Sequence, residues 1–145
     1  WRSALARQLR WQPWRTGREP LVLVLHVAYA FVPVGFLLAA YAMWSGESPT
    51  ATGATHAWTV GAIGLMTLAV MTRSTRGHTG HPLRAPAGTV AIYALMLTAA
   101  LSRIAAAIIP DIMSHALILA GVAWVSAFSL FVALYAPMLL NARRS

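Results

Sequence analysis

Four long runs of apolar residues alternate with short polar segments along the chain. A helix rises about 1.5 Å per residue, so about 20 apolar residues cross a hydrocarbon core roughly 30 Å thick. Backbone polar groups in lipid must be satisfied within the segment, and the runs lack the alternation of barrel strands. The pattern therefore predicts an all-α fold, a polytopic transmembrane helix bundle of four spans: residues 20–44, 56–73, 88–109 and 113–140.

The arginines around these runs predict the direction of each span. They precede the first span, separate the second from the third and follow the fourth, whereas the other two connectors contain none. Because cytoplasmic loops carry the excess of basic residues, we expect both the N-terminus and the C-terminus in the cytoplasm. Residues 1–19 then form a cytoplasmic loop or an interfacial helix, and residues 141–145 form a cytoplasmic tail.

The composition is that of a membrane protein, and it excludes several classes of function. Of 145 residues, 59% are hydrophobic, and the mean hydropathy is +0.65. The formal charge of +8 comes from arginines that cluster at span ends, so we expect contact with lipid headgroups and no nucleic-acid binding. The chain has no cysteine, which excludes disulfides, thiolate-bound metal and a cysteine nucleophile.

Two features of the spans predict how the helices pack. Ala57 and Gly61 have small-xxx-small spacing, which favours the close approach of another backbone or a flat ring. Pro33 and Pro137 lie inside spans, where each removes one backbone donor and favours a kink. We therefore expect close packing on the second span and bends in the first and fourth.

Five histidines are the side chains of this chain best suited to bind a transition metal. His26, about 9 Å along the first span, is expected at an inner level with His78 and His81 of the basic connector. His56 and His115, each at the beginning of a span, are expected at an outer level. The structural alternative for each is an imidazole that is hydrogen-bonded within the bundle or solvated at its edge.

Arg103 is the basic residue placed within a span, in the outer third of the third one. A charged Arg at depth costs at least about 2.5 kcal/mol unless it faces a partner or a water-filled cavity. Two interpretations stay open at this point. Arg103 either snorkels to the outer headgroups or pairs with Asp111, or it faces an anionic cofactor group, such as a haem propionate, between helices.

The segment HAWTVGAIGLMTLAVMTRSTRGHTGHPL, residues 56–83, resembles the signature of the NnrS family. In that pattern a helix opens with His, continues T-V-G-A-x-G-x-M-x-L-x-V-M-x-R and leads into a G-H-T-G-R-P-L turn. This chain departs from it at His81, where Arg is common. LHVAYAFVPVG at residues 25–35 and Tyr-Ala-Pro at 135–137 are similar to neighbouring parts of the family, so the resemblance covers most of the chain.

The resemblance implies a haem- and copper-containing protein of the bacterial inner membrane, involved in the nitric oxide response and in resistance to nitrosative stress. Family members are longer, so these residues would form a C-terminal part that packs against the remaining helices of a parent chain; the absence of a starting Met agrees. It favours His26, His56 and His78 as metal ligands and cofactor-binding residues; Arg103 is a further cofactor-binding candidate because of its position within a span. Since His26 and His56 lie near opposite membrane faces, it implies two sites, or one completed by other helices.

Two other functions stay open from the sequence. The histidines and Arg103 could line a polar pathway for protons or a small anion, with Pro33 as a gating kink. Alternatively, the four helices could only scaffold the rest of a larger membrane protein. The residues do not decide whether the protein is an enzyme.

Overall fold

The protein folds as a bundle of four long helices in the computed structural model, which describes residues 20–46 and 48–141. They are α1 (Pro20–Ser45), α2 (Ser48–His78), α3 (Ala87–Ile108) and α4 (Met113–Asn141). A 3₁₀ turn, Pro110–Ile112, joins the last two. The predicted interfacial segment 1–19 and most of the predicted tail lie outside the described residues.

All four helices are long and apolar enough to cross a membrane, and the described residues contain no strand. The predicted fold class, an all-α bundle of four spans, is confirmed. Successive helices run in opposite directions, so Pro20, His78, Ala87 and Asn141 lie at one end of the bundle. We call this the inner end, because the arginine pattern predicts that it faces the cytoplasm; the other is the outer end.

The second helix is longer than the predicted span 56–73, since it begins at Ser48 and ends at His78. Its first turns consist of small and hydroxylated residues, which hydropathy assigns to a connector. Those hydroxyls are satisfied within the helix: Thr52 and Thr55 donate to carbonyl oxygens four residues back, at 3.3 and 3.2 Å. His56 therefore lies about 12 Å into α2, and its predicted position at the start of the helix was wrong.

A π-helical segment, Ala57–Gly64, interrupts α2 directly after His56. The π pattern is rare, and it is frequent at functional sites, because the wider turn changes the direction of the side chains around it. Hydropathy does not report this hydrogen-bond pattern, so the sequence did not predict it. The segment places an irregular stretch of backbone beside one of the candidate ligands.

Two glycines allow α1 and the π-helical segment to pack closely. A Cβ atom on Gly61 would collide with the ring of Phe31, and one on Gly35 would collide with the indole of Trp58. The Trp58 indole N–H donates to the carbonyl oxygen of Val32 at 3.2 Å, which fixes the ring between the helices. Glycine is therefore required at positions 35 and 61, because a side chain of the neighbouring helix packs directly against the backbone there.

Small residues also govern the packing of α3 on α4. Alanines with helical spacing form the buried face of α4, so the two helix axes can approach closely. They are Ala116, Ala120, Ala123 and Ala127. The opposite face of α4 carries large exposed apolar side chains, among them Ile118, Val122 and Val132. This distribution suits a helix at the edge of the described bundle, with hydrocarbon or another helix beside it.

The substitution Gly61→Ala tests the α1–α2 contact. We expect a loss of about 1–3 kcal/mol of stability, because the added methyl group must displace Phe31 in a filled core. The thermal midpoint of the protein in lipid nanodiscs measures it. Gly121→Ala is the matched control, since a Cβ there has no heavy atom within 4 Å. Equal midpoints for the two variants would contradict the packing described here.

Candidate functional site

Polar side chains inside the bundle gather at two levels. Four residues of the inner level each lie six positions from the inner end of their own helix, about 9 Å along it. They are His26, Thr72, Tyr93 and Tyr135. The outer level contains His56 and Arg103. Apolar side chains fill the described core between these levels.

His26 is held in one tautomer by its own helix. Its Nδ1 lies 3.0 Å from the carbonyl oxygen of Val22, one turn earlier. A carbonyl oxygen only accepts, so Nδ1 carries the proton and Nε2 of the neutral ring carries the lone pair. The side chain is 8% exposed, and Nε2 is buried within the bundle. This is the state in which an imidazole ligates a metal through Nε2.

Two hydroxyl pairs link the helices at the inner level. Thr72 of α2 contacts the Tyr93 hydroxyl of α3, and Thr89 of α3 lies 2.6 Å from the Tyr135 hydroxyl of α4. The hydroxyl of Thr72 also donates to the carbonyl oxygen of Leu68 at 2.8 Å, so Tyr93 donates to Thr72. All four side chains are buried, and the sequence interpretation missed them, because which partner each hydroxyl finds depends on tertiary packing.

Arg76 is buried, although the sequence interpretation counted it among the flanking arginines. It is 7% exposed, and its Nε donates to the carbonyl oxygen of Pro82 at 2.9 Å. Its charge lies within electrostatic range of Tyr93. Arg76 therefore connects the inner polar level to the connector that follows α2.

His78 and His81 lie at the inner end, next to this level. His78 is the last residue of α2 and is exposed, and it borders an open groove of about 430 Å³ together with Arg73 and Leu25. His81, in the connector, is exposed as well. The structure thus brings three of the five histidines to one end, with His26 buried and the other two accessible.

The outer level brings His56 and Arg103 together. The two side chains are half-buried and lie within electrostatic range of each other. Arg103 also borders a groove of about 240 Å³ between α2, α3 and α4, whose other lining is apolar and includes Trp124. The structure shows no ion pair between Arg103 and Asp111, and Asp111 is exposed. The predicted alternative of an Arg103–Asp111 pair is therefore not found.

These positions limit the kind of metal centre that the described helices can form alone. Within residues 20–46 and 48–141 no three His, Asp or Glu side chains cluster as metal ligands. His26 and His56 belong to different levels, as the sequence predicted, and His115 is exposed at the outer end. A complete centre needs ligands from a bound cofactor or from chain outside this part.

Comparison with known families decides the affiliation of the chain. A family model described as NnrS protein matches residues 3–143, nearly the whole sequence. The chain belongs to the NnrS family. No curated protein and no solved structure matches it. The NnrS match spans all four described helices, and it identifies the chain broadly as a membrane protein of the nitric oxide response.

The donor atoms of the described residues suit the haem and copper that we expect in an NnrS protein. Imidazole nitrogen is a common ligand of haem iron and of copper, and His26 presents a lone pair inside an apolar bundle. Arg103 supplies a partly buried positive charge of the kind that pairs with a carboxylate. The described grooves are open at one side, so they fit a group that other helices also enclose.

Replacing Arg103 tests whether the outer level is built for a negatively charged group. We expect Arg103→Met to stabilise the cofactor-free protein by about 1 kcal/mol or more, because it removes a charge from the span and from beside His56. Thermal midpoints in nanodiscs measure the change. Arg84→Met, in the exposed connector, is the control and should leave the midpoint unchanged. A lower midpoint for Arg103→Met would mean that a partner already compensates its charge.

Proposed function

We propose that this protein binds haem and copper through imidazoles of its membrane helices and acts in resistance to nitrosative stress in a bacterial inner membrane. The observation that supports this most directly is the state of His26. Its Nδ1–H donates to the carbonyl oxygen of Val22, so the ring is held in the tautomer that ligates a metal through Nε2. The family assignment supports the broader role in the nitric oxide response.

The two polar levels correspond to two proposed binding regions. At the inner level, His26 and His78 are the ligating imidazoles, one buried and one at the surface. At the outer level, His56 is the ligand, and Arg103 beside it holds a carboxylate of the cofactor. When bound, haem iron or copper supplies the centre at which nitric oxide coordinates.

The protein's own residues orient and shield these ligands. Val22 fixes the His26 ring, while Leu21 and Val24 of the same helix are buried and help to exclude water from its surroundings. The π-helical segment begins directly after His56, and its Gly61 packs against the ring of Phe31 of α1. The hydrogen bond to Val22 thus orients the His26 ring before a cofactor binds.

A transport function has less support from the described residues. A pathway for protons or anions requires polar groups along the whole route. Between the inner and outer levels the described core consists of apolar side chains, among them Phe31, Leu65 and Met96. The polar level around Tyr93 therefore has no polar connection to Arg103 within this part of the chain.

The proposal predicts the haem and copper content of histidine variants. We expect His26→Ala and His56→Ala each to lose part of the bound haem or copper, and the double variant to lose more than either, because the two ligands belong to different levels. The absorption spectrum and metal analysis of the purified intact protein measure this.

His115→Ala is the control, since His115 is an exposed histidine at the outer end that the proposal does not use. It should retain the full content. A wild-type protein without a Soret band and without copper, after expression with both supplied, would refute the proposal. Unchanged content in His26→Ala and His56→Ala would refute the assigned ligands.

A further inference from the structure

An open groove at the inner end of the bundle lies between α1, α2 and the connector that follows α2. Its volume is about 430 Å³. Leu25 of α1 and Leu83 of the connector line two of its sides, and one face of α2 supplies the rest. The residues of that face recur at intervals of three and four positions, so they form a continuous stripe along the helix. They are Ala69, Val70, Arg73, Ser74, Gly77 and His78.

This stripe changes from apolar to polar along the helix axis. Ala69 and Val70 lie farthest from the inner end, and Arg73 and Ser74 follow one turn later. Arg73 is five residues, about 7.5 Å, from the end of α2. The helix has 31 residues, so at about 46 Å it is longer than a hydrocarbon core of roughly 30 Å. Arg73 is the first charged residue after the apolar run that ends at Met71, so it lies near the boundary between hydrocarbon and headgroups.

The connector side of the groove is held in place by hydrogen bonds. The buried Arg76 donates through Nε to the carbonyl oxygen of Pro82 at 2.9 Å. The backbone N–H of His81 donates to the carbonyl oxygen of Arg76, also at 2.9 Å. These bonds hold the connector against the last turn of α2, where a Cβ on Gly77 would lie 3.9 Å from the side chain of Leu83. Because Gly77 has no side chain, the groove is open at this point.

An apolar wall that leads to an arginine at the headgroup boundary suits an anionic phospholipid. The acyl chains of such a lipid lie in hydrocarbon, and its phosphate lies at the boundary. Guanidinium binds phosphate through several N–H donors, and basic pockets between helices on the cytoplasmic side bind anionic headgroups. The segments at the predicted cytoplasmic end contain ten of the eleven arginines and one of the three acidic residues, Glu19. This excess of positive charge attracts anionic lipids to the end of the bundle where the groove lies.

We propose that this groove binds one anionic phospholipid of the cytoplasmic leaflet. The guanidinium of Arg73 and the hydroxyl of Ser74 donate to its phosphate. One acyl chain lies against Val70 of α2 and Leu25 of α1, where it fills a gap that protein side chains leave open. The site requires neither haem nor copper, so it is independent of the proposed function.

Native mass spectrometry of the intact detergent-purified protein with added dioleoyl phosphatidylglycerol tests the site. We expect one phosphatidylglycerol to bind more tightly than dioleoyl phosphatidylcholine, which has the same acyl chains and no net charge. Arg73→Gln should weaken this binding about fivefold or more, because it removes a basic residue from the headgroup boundary. Arg84→Gln is the matched control: it removes the same charge from an exposed position of the connector outside the groove, and it should leave the affinity unchanged.

A second pair of variants tests the shape of the groove without changing its charge. Gly77→Leu places a large side chain in the groove, so we expect it to weaken phosphatidylglycerol binding as well. Gly77→Ala is its control and should retain binding, since the added methyl group makes only an ordinary contact with Leu83. Circular dichroism of each variant checks that α2 is intact. Arg73→Gln, at an exposed position, keeps the test valid if Gly77→Leu disturbs the fold.

Three results would overturn the proposal. Equal losses in Arg73→Gln and Arg84→Gln would show a general attraction between charges and no defined site. Unchanged binding in both Arg73→Gln and Gly77→Leu would show that the lipid binds elsewhere and that something else, such as another helix of a parent chain, fills the groove. Binding of inorganic phosphate as tight as that of phosphatidylglycerol, and lost in Arg73→Gln, would assign the site to a soluble anion. None of these results bears on the haem and copper content, which is measured separately.

Discussion

Because hydrocarbon surrounds the helices, each polar group within it must be hydrogen-bonded inside the protein. This constraint accounts for most of the structure. The backbone satisfies it by forming helices. Threonine hydroxyls satisfy it by bonding to their own helix, as at Thr52, or to a tyrosine on the next one, as at Thr72. The imidazole of His26 follows the same pattern through Nδ1, which bonds to the carbonyl oxygen of Val22, and the guanidinium of Arg103 lies beside His56. Both belong to the polar levels at which we propose that cofactors bind.

The sequence predicted the features that depend on the length and polarity of whole segments. Four apolar runs indicated four helices, and the structure contains them. The bounds of α2 were less accurate, because Ser48 to Thr55 has the composition of a loop and yet satisfies its hydroxyls within a helix. The π-helical segment after His56 was not predictable from hydropathy, since the polarity of a segment does not depend on which carbonyl each N–H reaches.

The candidate site was predicted only in part for a similar reason. His26 and Arg103 stand out in a sequence because imidazole and guanidinium are rare within spans. Tyr93, Tyr135 and Arg76 do not stand out, and their roles depend on neighbours that only the fold supplies. The tautomer of His26 follows from a single hydrogen bond to the carbonyl oxygen of Val22. Such a bond decides which ring nitrogen of a histidine can ligate a metal.

The most direct test of the central claim, that the chain crosses a bilayer with its imidazoles at two depths, uses the absence of cysteine. Single cysteines at Ser48 and Ser114 mark the outer end, and one at Ala87 marks the inner end; all three positions are exposed. A membrane-impermeant maleimide added to intact cells should label positions 48 and 114, and position 87 only after permeabilisation. Equal labelling of all three positions in intact cells would contradict the account.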